Sequence, residues 1–272
     1  MPPRADSVNS VLQHVIHRPW PLPAGPWIMT QVWSDLLFCH WPVEVAQLRP
    51  LVPSLLPIDT FEGQAWISIA AFRISQLRAR LLPPIPPFSA FHEINVRSYV
   101  KIENKPGVFF FSLDASRLGG VLGARALYRL PYYHARIDAA SSGGEVEYRS
   151  QRLAGAEARF EARYAPISEP EAARPGTRAH WLTERYCLYT ESGGALFRAE
   201  IHHLPWPLQT ARADIPVNTL AEAAGVELST DPPLLHFSAR LRVFVWPLHR
   251  VTAGAYAYDR KLARAEVAVK PV

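Results

Sequence analysis

Short runs of alternating apolar and polar residues, separated by turns, predict a mainly β protein of the α+β class. Two observations carry this expectation. The 26 prolines fall at short intervals, in "RPWPLPAGP", "LRPLVPSLLP", "LLPPIPP", "HHLPWPL" and "STDPPLL". That spacing interrupts long helices and favours strands joined by irregular connections. In addition, pairs of strand-like runs flank the compact turns "NKPG", "SSGG" and "ESGG", as the arms of antiparallel hairpins do. A sheet of this size hides its edges best by closing, so one β-rich domain, closed or nearly closed, is expected.

The elements follow in order. Residues 7–17, "SVNSVLQHVIH", place Val8, Leu12, Val15 and Ile16 on one side of a short helix. "WIMTQVWSDLLFCHW" (27–41) is a strand by its Trp, Ile, Val and Phe content. Pro42 and Pro50 bracket a helix over 42–53. Residues 64–78 form a buried strand, and the apolar, proline-rich loop 81–91 covers either the core or a pocket mouth. Strands 91–102 and 108–115 make a hairpin, and 116–130 carries helical spacing loosened by Gly119, Gly120 and Gly123. Two strands around "SSGG", a strand over "EARFEARYAPI", a pair around "ESGG" beginning at "HWLTERYCLYT", a helix over 217–226 and a last strand over 234–248 complete the reading.

Composition limits the function classes. With 49% hydrophobic and 19% charged residues the chain can bury a sizeable core. Its 272 residues fit one β domain, and neither a repeat nor a composition shift divides them. No apolar run reaches the length of a membrane span, so no membrane partner is expected. No leader with an apolar centre and cleavage site opens the chain, so a cytoplasmic location is expected, with Cys39 and Cys187 as free thiols. The net charge of +5 raises nucleic acid as a partner. The 29 basic residues are scattered, however, without a basic run, and nucleic-acid binding is not expected.

The chemistry concentrates on strands. In "FHEINVRSYV" (91–100) one face carries Phe91, Glu93, Asn95, Arg97 and Tyr99. A carboxylate, an amide and a guanidinium in one row suit either a wet sheet surface or the lining of a site. "SLDASR" adds Asp114, Ser116 and Arg117 near a strand end, and "PYYHAR" adds Tyr132 and His134 on one strand face. Histidine is the side chain most readily tuned for proton transfer near neutral pH. His202 and His203 in "EIHHLPWPL" face opposite ways, so at most one reaches a given site, and His202 is the candidate. No HExxH, CxxC or P-loop pattern occurs, so neither a metal nor a cofactor is expected.

The segments "LRPLVPSLLPIDTFEGQAWISIAAF", "HEINVRSYV", "PGVFFFSLDASR", "LPYYHARI", "WLTERYCLYT" and "EIHHLPWPLQ", in this order, resemble the YqjF-like family, the DUF2071 group. The resemblance covers about residues 27–249, and implies an N-terminal extension over 1–26 and a tail over 250–272. It also implies the closed, cone-like antiparallel barrel with peripheral helices of the acetoacetate decarboxylase-like superfamily, whose interior holds the ligand. Relatives there often assemble, which leaves room for a homo-oligomer. The decarboxylases use a lysine in a "SAYPKKLG"-like stretch. The matching "SLDASRLGG" supplies Ser116 and Arg117 instead, and an arginine cannot form the imine. Lys101 lies about 26 Å along the strand from Glu93, too far to serve the same substrate.

The expectation is therefore a binder of a small organic or oxo acid, or an enzyme acting on one. Arg97 or Arg117 takes the carboxylate, Glu93 and His134 move protons, and Asn95, Asp114, Ser116, Tyr132 and His202 line the site. The alternatives are a structural polar network without catalysis, and a decarboxylase that uses another lysine.

Overall fold

The computed structural model describes residues 8–86, 88–117 and 128–251. Twelve strands dominate them: β1 (Met29–Val43), β2 (Ala65–Ala79), β3 (Phe91–Ile102), β4 (Lys105–Ala115), β5 (Tyr132–Ser142), β6 (Glu145–Arg152), β7 (Arg159–Pro166), β8 (Cys187–Ser192), β9 (Ala195–His202), β10 (Gln209–Asn218), β11 (Leu234–Val245) and β12 (His249–Arg250). Four short helices accompany them: α1 (Val8–Gln13), α2 (Val45–Leu48), α3 (Arg178–Thr183) and α4 (Leu220–Ala223).

The sheet closes twice, because β4 and β11 each fork. The first half of β4 pairs with β8 and its end pairs with β5, both in parallel. One end of β11 pairs with β9 and the other with β10. The strands β4, β3, β2, β1 and β11 thus form a common wall. Adding β10, β7, β6 and β5 closes a nine-strand barrel; adding β8 and β9 closes a smaller, seven-strand ring.

A shared wall is buried on both faces, which explains its nearly continuous apolar sequence. Leu37, Cys39, Ile67, Ile69, Ile94 and Val96 pack into the nine-strand core with Tyr148, Phe160 and Tyr164. Their alternates Leu36, Phe38, Ala70, Phe72, Ile74 and Phe91 face the seven-strand side with Trp206. Bulges let β1 serve both circuits: its register with β2 shifts between Ser34 and Leu37, around Asp35 at φ 52°.

Several expectations change. The helix over 42–53 shortens to α2. Past it the Arg49 guanidinium donates to the carbonyls of Val52 and Pro53, both at 2.6 Å, which fixes a turn that Pro50 and Pro53 would not allow to be helical. "HWLTERYCLYT" divides into the end of α3 and β8. Thr177 caps α3, its side chain accepting from the His180 N–H at 3.3 Å. β10 has no counterpart in the expectations, and its last residues, Val217 and Asn218, take the start of the helix expected over 217–226, which shortens to α4; a register shift between Asp214 and Val217 accommodates Pro216 within the strand. Most of the expected helix over 116–130, with its glycines, and the tail beyond Val251 lie outside the described residues.

Candidate functional site

The seven-strand ring encloses a cavity of about 310 Å³. Pleat alternation puts Phe91, Glu93, Asn95 and Arg97 of β3 on its wall. Leu36, Ala70, Phe72 and Ile74 of the neighbouring strands face it too. The polar face of β3 is an interior one.

Glu93 is 3% exposed. Its Oε2 accepts from the Tyr132 hydroxyl at 3.0 Å and its Oε1 from Asn95 Nδ2 at 3.3 Å. Burial raises its carboxyl to about 7, against the downward pull of the two hydrogen bonds. Near neutral pH both protonation states are populated.

Arg97 has a different environment. Its guanidinium lies over the Phe38 ring at 5.0 Å, and Tyr99 favours its charged form. Its buried Nε has no hydrogen-bond partner among the described residues. Burial outweighs the favourable influence of Tyr99 and of Glu93, which lies on the same strand, and lowers the pKa of Arg97. A second guanidinium, Arg185, lines the same cavity. Its Nη1 donates to Asp59 Oδ2 and its Nε to the Trp181 carbonyl, both at 2.6 Å, and its Nη2 has no partner among the described residues. Aromatic rings line the same cavity, with Trp33 packed on Trp206 and Phe72 at ring separations of 5.7 and 5.4 Å.

Of the residues read from the sequence, Glu93, Asn95, Arg97 and Tyr132 come together here. The others do not line the cavity. Asp114 faces the nine-strand barrel, where Arg152 donates to both its oxygens at 2.6 and 2.8 Å. The cause is one bulge. From the turn to Arg97↔Phe110 the hairpin register is regular, and continued it would pair Glu93 with Asp114 on one face. The register shifts between Val96 and Arg97, so that Val96 meets Ser112 and Glu93 meets Ala115. One extra residue turns Asp114 to the opposite side.

Ser116 fastens the strand end, its Oγ accepting from the His92 N–H at 3.0 Å, and Arg117 is exposed. His134 sits half-buried one pair beyond the cavity, level with Ala115 at the end of β4. On β9 the parity is the reverse of the expected one: His203 lines the cavity. His202 points outward, donating from Nε2 to the Val11 carbonyl at 2.8 Å and accepting at Nδ1 from Arg18 at 3.3 Å. Burial lowers His203 to about 3, so it is a neutral ring against Tyr186 and Trp206. Arg185 and His203 are the site residues that the sequence reading missed. Thr177 just after Gly176, a helix-start signal, would have separated α3 from β8 and drawn attention to the junction holding Arg185.

Among the described residues no His, Cys, Asp and Glu cluster could hold a metal, and no helix is long and apolar enough to cross a membrane. Lys101 is exposed, and Lys105 is ion-paired with Glu200 at 3.0 Å; neither lines the cavity.

Residues 30–242 match the profile of the DUF2071 family, described as an uncharacterized conserved protein. The uncharacterized protein YqjF of Bacillus subtilis is 49% identical over 229 residues, covering 84% of this chain and 95% of YqjF. Among solved structures, the enduracididine biosynthesis enzyme MppR complexed with pyruvate superposes with a TM-score of 0.60 at 11% identity, over 84% of this chain and 92% of MppR. Acetoacetate decarboxylase from Legionella pneumophila superposes with a TM-score of 0.57 at 13% identity, over 89% and 95%. The architecture is that of the acetoacetate decarboxylase-like barrels.

Proposed function

The chain belongs to the DUF2071 family, and from that premise we propose that it binds a small organic acid, of the oxo-acid class, in the seven-strand cavity. The observation that carries this reading is Arg97, a half-buried arginine whose buried Nε meets no protein group among the described residues. A cation taken out of water is costly until a counter-charge joins it. A carboxylate is the ligand group that the planar fork of an arginine fits best, through two parallel hydrogen bonds. Arg185 adds a second positive charge, already anchored by Asp59. MppR, whose fold this chain shares, has been solved with pyruvate, which makes pyruvate the first ligand to test.

Glu93 supplies the reactivity. A carboxyl poised at about 7, four residues along the same strand from Arg97, can give a proton to, or take one from, the part of the bound acid that extends from Arg97 toward it. The reaction class is acid–base chemistry on the bound acid. Imine chemistry receives no support from the cavity's described lining, which contains no lysine. A polar network that serves only to satisfy itself describes Asp114 with Arg152 and leaves Arg97 unexplained.

Thermal melting with a panel of oxo acids and their neutral amides tests the proposal. At a hundredfold excess over Kd the acids should stabilise the fold by about 2.7 kcal/mol, which raises Tm by roughly 5–10 °C. Equal shifts with acids and amides, or none with either, would overturn it.

A further inference from the structure

The cavity is much longer than its charged end. Register across the wall sets Ile74 opposite Phe91, Phe72 opposite Glu93, Ala70 opposite Asn95 and Ser68 opposite Arg97. From Phe91 to Arg97 is a rise of about 20 Å at ordinary strand spacing. Beyond Phe91 the lining continues through Leu77 to Phe88, which is 53% exposed and so marks where the cavity reaches the surface. Leu81, Leu82 and Ile85 of the same loop are also exposed, so the rim is apolar. Polarity therefore runs along the cavity: guanidinium groups at the inner end, Glu93 midway, and an outer half that is aliphatic and aromatic apart from Gln31.

A three-carbon acid spans roughly the rise of one residue, ~3.3 Å, and would leave the outer half uncovered. The volume of about 310 Å³ lies at the lower end of the range for pockets that enclose drug-sized ligands. We infer that the preferred ligand is an amphiphilic acid: its carboxylate meets Arg97 and a medium-length alkyl or aryl substituent runs past Phe91 toward Leu77 and Phe88. This inference rests on the acid-binding reading above and adds the class and orientation of the ligand.

The test is calorimetric titration of the full chain with unbranched 2-oxo acids of increasing length from pyruvate upward, together with an aryl member and the matching amides. Each added methylene should tighten binding about fourfold, the equivalent of ~0.8 kcal/mol per buried methylene, until the outer half is filled. The Phe88→Ala variant, placed in an exposed loop, should weaken the longest acids by roughly three- to tenfold and leave pyruvate unchanged. Affinity that is flat or falls with length, or a Phe88→Ala effect equal for short and long acids, overturns the inference while acid binding stands. If no acid of any length binds better than its amide, the acid-binding reading falls with it.

Discussion

Asp114 and Glu93 stand on opposite faces of the same two strands, each with an arginine as its cationic neighbour, and they solve the same electrostatic problem differently. Asp114 and Arg152 form a complete pair: two hydrogen bonds, both partners buried, and Tyr133 packed on the guanidinium at 4.0 Å. Glu93 and Arg97 are not joined. Glu93 is satisfied by neutral donors and drifts toward its protonated form, and Arg97 keeps an unmatched Nε. A closed pair holds two halves of a barrel together and has nothing left to offer a ligand. An open one holds its charge available, at a cost in stability. The single bulge in β4 separates the two roles.

The comparison breaks most visibly at the closed pair. Asp114→Asn strands the Arg152 charge and should cost about 3–5 kcal/mol in chemical denaturation, with a large fall in Tm. If instead this variant unfolds with little loss, the pair is not the structural member.

At the open site the sign reverses. Burial moves the Glu93 carboxyl from its ordinary 4.5 to about 7, so the folded chain holds this proton more tightly than the unfolded one. Below pH 4.5 both states are protonated and Glu93 costs nothing. As pH rises through 7 the fold loses up to about 3 kcal/mol. Glu93→Gln should therefore match the parent at pH 4.5 and exceed it by about that amount above pH 8, as read from denaturation midpoints across pH. A constant difference would refute the shifted carboxyl.

Arg97→Met removes a half-buried cation and its contact with Phe38. Stability should stay within about 1 kcal/mol of the parent or rise, although the response to acids is lost. A loss as large as that of Asp114→Asn would make Arg97 structural. Tyr132→Phe should be the mildest change. It removes a donor that holds the Glu93 carboxyl down, so the pH at which stability falls moves further up, with a cost of about 1 kcal/mol at high pH. A downward move would contradict the role given to Tyr132.

The sequence discloses the open site better than the closed one, for a physical reason. Glu93, Asn95 and Arg97 share a strand, and alternation within a strand is local. The partner of Asp114 depends on a bulge at the end of a hairpin, and the choice between His202 and His203 depends on how β9 meets β11; both are settled by tertiary pairing. Arg185 was hidden because apolar "HWL" reads as strand as easily as helix over so short a run. The barrel was legible from its hairpins and turns, whereas the double closure was not, since strand forking leaves no local pattern.

A crystal structure of the chain with a bound 2-oxo acid tests the central claim most directly. The account predicts the carboxylate oxygens within about 2.7–2.9 Å of the Arg97 guanidinium, with the oxo group turned toward Glu93. An acid bound outside the seven-strand cavity, or inside it with its carboxylate away from Arg97, would contradict the account.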